Sequence, residues 1–292
     1  NVNVDSPVNK IETQAVLKPD VDFGKIPLYF IGNQGQVNAQ AKFYAKASRY
    51  TLWLTKQGLV FDSFKKAGSE KEHSSNPLLG GVAEGRGGSA PAKTERSVSR
   101  LLFIGANKNP EISAIETAKL KVNYFIGNDK NKWQGNVPTS MAVLYNSLYN
   151  NIDLKVYGIE KQIEYDWIVK PEGDPADIRF EYKNVKGTRI DEEGNLLIET
   201  DFGELMHKKP VSYQDGALNH PAPSGHPSAG GESCVGAQRA VPGKTQREYI
   251  DVTFKKLGKN TYGFSVGNYD KNRELIIDPL VLAYSTYLGG GE

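Results

Sequence analysis

With one cysteine, Cys234, the chain has no internal disulfide, and that thiol sits in a Gly-, Pro- and Ser-rich stretch with no partners nearby to activate it. Long apolar runs are missing too. None reaches the roughly 18 residues of a spanning helix, so no helical membrane span is expected. Neither sign of charge is in surplus: 36 basic against 34 acidic residues leave a net +2, which excludes the basic field of a nucleic-acid binder. Glycine loops for phosphate are absent, because Gly80-Gly81 and Gly85, Gly87 and Gly88 lack a strand-to-helix setting. No amphipathic stretch of four helical turns occurs, and Met is scarce, at 2 residues.

What is present favours strands. The chain has 15 Tyr and 30 Gly, with Val, Ile and Thr in short alternating runs. Residues 50–55, a Lys56-Gln57-Gly58 turn and residues 59–64 form a hairpin signal. Residues 26–31, 42–47, 98–104, 121–126, 141–145, 152–157 and 163–169 read as further strands, and strand signals continue to residue 284, with 249–254, 261–266 and 275–284 as the last three runs. In the run 163–169, Ile163, Tyr165, Trp167 and Val169 share one face while Glu164 and Asp166 share the other, the pattern of an antiparallel sheet with one buried side. The expected fold is all-β: an antiparallel β-sandwich assembly, open to division into two β subdomains. Residues 1–20 read as an extended lead-in, 21–150 as an N-terminal β subdomain with a polar insertion at 66–97, and 151–282 as a C-terminal β subdomain with an insertion at 215–245.

Several phrases occur in a familiar order: Phe30-Ile31-Gly32-Asn33-Gln34-Gly35-Gln36, LFIGAN at 102–107, NYFIGND at 123–129 with Trp133, and Asn136-Val137-Pro138. YNNIDLKVY at 149–157, Glu164-Tyr165-Asp166, Lys209-Pro210-Val211, Ile277-Asp278-Pro279 and YSTYLGG at 284–290 follow. In these the chain resembles the N-terminal domain of bacterial secreted and surface proteins with SBBP-type β-propeller repeats. The resemblance implies an exported protein at the cell surface or outside the cell, with residues 283–292 opening the first propeller repeat. It implies no established activity. The start at Asn1 and the stop inside that repeat phrase fit a processed piece of a longer surface protein.

Chemistry was sought in the polar residues. His73, His220 and His226 lie in the insertions, and His207 reads as a solvent-facing strand position; no G-x-S-x-G elbow accompanies them, so no triad is expected. Glu164 and Asp166 read as a solvated acidic face rather than a glycosidase pair. No cofactor is expected. Calcium is the one candidate ion, at Asp129 and Asn131 in one loop and Asp270 in another, set against ordinary Asx-turn chemistry. Trp53 and Trp167 read as core, and Trp133, in a loop, is the candidate ligand-binding aromatic. The expected function is a non-catalytic extracellular structural or interaction module that caps or presents a propeller or builds an assembly, with other protein chains, surface glycans or further copies of itself as partners. The alternatives are a carbohydrate-binding module and an unrecognised hydrolase.

Overall fold

The structure, a computed structural model, describes residues 28–47, 50–66, 94–125, 128–130, 133–159, 162–215, 247–279 and 281–285. Strands dominate, as the alternating sequence dictates, with a 3-10 turn at Pro175–Asp177. The first half supplies β1 (Phe30–Gly32), β2 (Ala41–Lys46), β3 (Tyr50–Thr55), β4 (Gly58–Lys66), β5 (Thr94–Phe103), β6 (Glu111–Tyr124) and β7 (Gln134–Tyr149). The second supplies β8 (Ile152–Ile159), β9 (Gln162–Val169), β10 (Phe180–Lys183), β11 (Gly187–Ile190), β12 (Leu196–Thr200), β13 (Gly203–His207), β14 (Val211–Asp215), β15 (Arg247–Ile250), β16 (Val252–Lys256), β17 (Thr261–Val266), β18 (Leu275–Asp278) and β19 (Val281–Ser285).

Strand β7 is the corner of the molecule. One edge of it carries β6, while its other edge carries β1 at Thr139 and Ser140 and β8 from Ala142 onward. Two antiparallel arms therefore leave the same edge. One runs β8-β9-β18-β14-β15; the other runs β1-β2-β3-β4-β5-β10-β17-β16. The strand serves two arms where β1 gives way to β8, and beside that point its register with β6 shifts between Thr117 and Lys121, next to Glu116 at a φ of 57°. A second irregularity lies further along, between Tyr145 and Tyr149, where Ser147 takes a φ of 50°; the buried carboxylate of Asp153 holds it by accepting the Ser147 amide at 2.7 Å while pairing with Lys170 at 2.6 Å. The far ends of the two arms, β15 and β16, are joined by Asp251 alone, so the large sheet comes close to closing on itself.

Inside the arms lies one apolar core. Its centre is Trp167, fully buried, with Phe103, Tyr149, Tyr165, Phe180 and Phe264 ranged around its ring at centroid distances of about 6 Å, and Tyr145 against Phe103. A small sheet, β11-β12-β13-β19, contributes Leu196, Ile198 and Leu205 to the same core. The expected solvent-facing placement of His207 is corrected here. It is 1% exposed, because β13 alternates Leu205 and His207 onto its core face. Tyr165 Oη lies 2.8 Å from its Nδ1 and Tyr182 Oη 2.5 Å from its Nε2. A neutral imidazole has one donor and one acceptor nitrogen, so one tyrosine accepts while the other donates.

Both polar insertions leave from hairpin ends. Lys66 pairs with Thr94 and Asp215 with Arg247, so β5 starts earlier than expected and residues 94–97 are strand. The rest of the two insertions lies outside the described residues.

Candidate functional site

The outward face of β2–β5 carries a groove of about 650 Å³. Strand alternation sets its floor. In β3, Tyr50, Leu52 and Leu54 point to the core, so Trp53 points outward, level with Tyr44 on β2 and Val60 on β4. Val98 and Leu102 of β5 extend that apolar floor. Trp53 is half-buried: its ring packs 5.3 Å from that of Tyr44, which the β6–β7 hairpin covers with Val122, Tyr124 and Val137.

One wall is the loop between β1 and β2, and the FIGNQGQ phrase explains its shape. The Asn33 side-chain amide donates to the carbonyls of Asn38 at 2.9 Å and Ala41 at 2.8 Å, while its oxygen accepts the Gly35 amide at 2.9 Å. Gln36 Nε2 donates to the Gly32 carbonyl at 2.7 Å. Gly35, at φ 106°, makes the left-handed turn this wrapping requires. The wall is thus held by its own side chains before any ligand arrives. The other rim holds Lys56, which donates to Asn109 at 2.9 Å, and Arg96, whose guanidinium grips the Asp62 carboxylate with bonds of 2.6 and 2.8 Å. Lys42 and Arg100, both exposed, complete four cations around one acid, with Asn38, Gln40 and Gln57 between them.

A second constellation lies on the outward face of the other arm. Asp166 on β9 and Asp278 on β18 stand directly across from each other, as the Ile168–Ile276 register requires, and Glu164 pairs across to Tyr157 on β8. The Tyr157 hydroxyl donates to Asp166 at 3.0 Å. Burial, with the charge of Asp278 second, pushes Asp166 up to about 7 and raises Glu164 as well; burial also raises Asp278, against the pull of Arg247. The Asp278 Oδ1 atom is buried with no hydrogen-bond partner among the described residues. The expectation of a solvated acidic face is therefore corrected: Glu164 is 5% exposed. Alternation separated it from the core but could not show what else covers it.

A family model for a domain of unknown function, DUF7948, matches residues 30–221, about two thirds of the chain. The chain belongs to the DUF7948 family. No curated protein and no solved structure matches it at a significant level. The DUF7948 match spans β1 to β14 and so includes the whole groove, together with Glu164 and Asp166 but not Asp278.

The residues singled out from sequence fall in different places on this DUF7948 domain. Trp133 stands at the end of the β6–β7 hairpin, 36% exposed, 5.3 Å from the ring of Phe125 and 5.9 Å from the Lys130 ammonium. Trp53, expected in the core, lies on the outward face instead. Asp129 is exposed beside that hairpin end, whereas Asp270 sits between β17 and β18, so the calcium candidates belong to separate loops; Asn131 lies outside the described residues. The Asp270 carboxylate accepts the Asn272 amide at 3.0 Å and the Arg273 guanidinium at 3.1 Å. Among the described residues no group of three or more His, Cys, Asp or Glu side chains is placed to hold a metal. His73, His220, His226 and Cys234 also lie outside the described residues. Sequence reasoning missed the groove because Lys42, Trp53 and Arg100 are far apart in the chain; outward alternation was the signal available.

Proposed function

We propose that this DUF7948 domain is a non-catalytic recognition module of an exported bacterial protein, and that the groove across β2–β5 is its working surface. The observation that supports it is the groove itself: an apolar floor around Trp53 with amides and cations at the rim, beside a wall already braced by Asn33. The export setting rests on the phrases shared with SBBP-repeat proteins, where such a module would cap or present the propeller. Other protein chains, glycans and further copies of the chain are the partner classes. An array of glycans, peptides and extracellular proteins, probed with the wild-type chain and with the Lys42→Glu/Arg100→Glu double variant, tests the groove. The expected result is a ligand class retained by wild type and lost by the variant, at unchanged thermal stability. Identical array patterns for both proteins would remove the groove from the reading.

A further inference from the structure

Resting on the groove as the working surface, the geometry points to a ligand class: we propose that it takes an acidic polysaccharide, a chain of sugars bearing carboxylates. Three observations converge. The first is charge: among the described residues Lys42, Lys56, Arg96 and Arg100 line the groove against Asp62 alone, and Asp62 is already engaged by Arg96. An incoming carboxylate meets a surplus of cations, and Arg100, exposed and without an ion pair among the described residues, presents a planar fork suited to it. The second is the floor. Trp53, backed by Tyr44, gives an aromatic surface beside Val60, Val98 and Leu102. The C–H face of a pyranose packs on such a surface, while Asn38, Gln40 and Gln57 supply amides for its hydroxyls.

The third observation separates a sugar chain from an acidic peptide. An extended peptide gains affinity by adding its backbone to a free strand edge. The strands under the floor, β3 and β4, are paired along both edges, so no ladder is open beneath Trp53; the edge without a partner strand, residues 94–99 of β5, lies at the side of the groove, because β10 pairs with β5 only at Arg100–Phe103. Recognition must come from side chains on a sheet face, which suits hydroxyl and carboxylate groups spaced along a glycan.

Calorimetric titration of the full chain with hexagalacturonate, a neutral hexasaccharide of glucose and hexaglutamate tests this. Hexagalacturonate should bind at least tenfold more tightly than either comparison ligand. The Arg100→Glu and Lys42→Glu variants, both at exposed positions, should each weaken it tenfold or more, and Trp53→Phe should weaken it less than either. Equal or tighter binding of hexaglutamate, equal binding of the neutral sugar, or uronate binding untouched by both charge reversals would overturn the proposal. If the array ligand is lost in the double variant while hexagalacturonate gives no heat, the groove stands as the working surface and the uronate assignment falls.

Discussion

At the scale of single residues, one buried and one half-buried titratable group give the protein opposite responses to pH. Burial lowers His207 to about 3, so in the folded state it stays neutral while the unfolded chain protonates near 6.5. Its contribution is whole above that value and drains away as pH falls towards 3, at up to about 1.4 kcal/mol per pH unit. Asp166, raised to about 7, behaves in reverse: its contribution is whole below 3.8 and is lost as pH rises through 7. Between about pH 4 and 6.5 the two slopes offset each other. Glu164 and Asp278, also raised by burial, add to the Asp166 side, so the wild type should not gain stability with pH across that window. In denaturant unfolding, Asp166→Asn should tilt the curve towards stability rising with pH relative to wild type, and His207→Gln, which keeps a donor and an acceptor for Tyr165 and Tyr182, should tilt it towards falling. Parallel curves for all three proteins would show that these groups do not titrate as their burial demands. Neither group's burial was legible from the strand pattern, which sorts side chains by face and is silent on what packs over the outer face.

At the scale of elements, the β3–β4 hairpin was visible in the sequence, but the reason for its glycine was not. A Cβ at Gly58 would sit 2.0 Å from the Leu101 carbonyl oxygen on β5, so Gly58 is required by a strand that joins from beyond the residue 66–97 insertion. Gly35, by contrast, has nothing within 4 Å of a Cβ and is needed only for its φ of 106°. Gly58→Ala should cost about 2–3 kcal/mol through the forced separation of β4 and β5. Gly35→Ala should cost roughly 1–2 kcal/mol from backbone conformation. Thermal melts of the two variants check the order; an equal or larger loss in Gly35→Ala would contradict it. The runs at 249–254 and 275–284 each read as one strand, yet each divides. Asp251 parts β15 from β16 at opposite ends of the large sheet, and Pro279, with no amide hydrogen to donate, ends β18 before β19 joins the small sheet.

At the scale of the whole molecule, one core unites both halves of the chain. Leu52, Leu54 and Phe61 from β3 and β4 share a cluster with Trp167, Phe180, Ile198 and Phe264. Unfolding should accordingly be a single transition, with tryptophan fluorescence and far-ultraviolet circular dichroism giving the same midpoint; two separated midpoints would mean that the arms fold independently. The sequence alone determined the all-β class, most strand positions and the inward set of residues such as Trp167, because a period of two is a local property of the chain. Tertiary structure alone decided the corner in β7, the near closure at Asp251, the burial of His207 and Glu164, and the meeting of Lys42, Trp53 and Arg100 around one groove. Those depend on which strands pair, and pairing is a contact between residues far apart in sequence that alternation cannot specify.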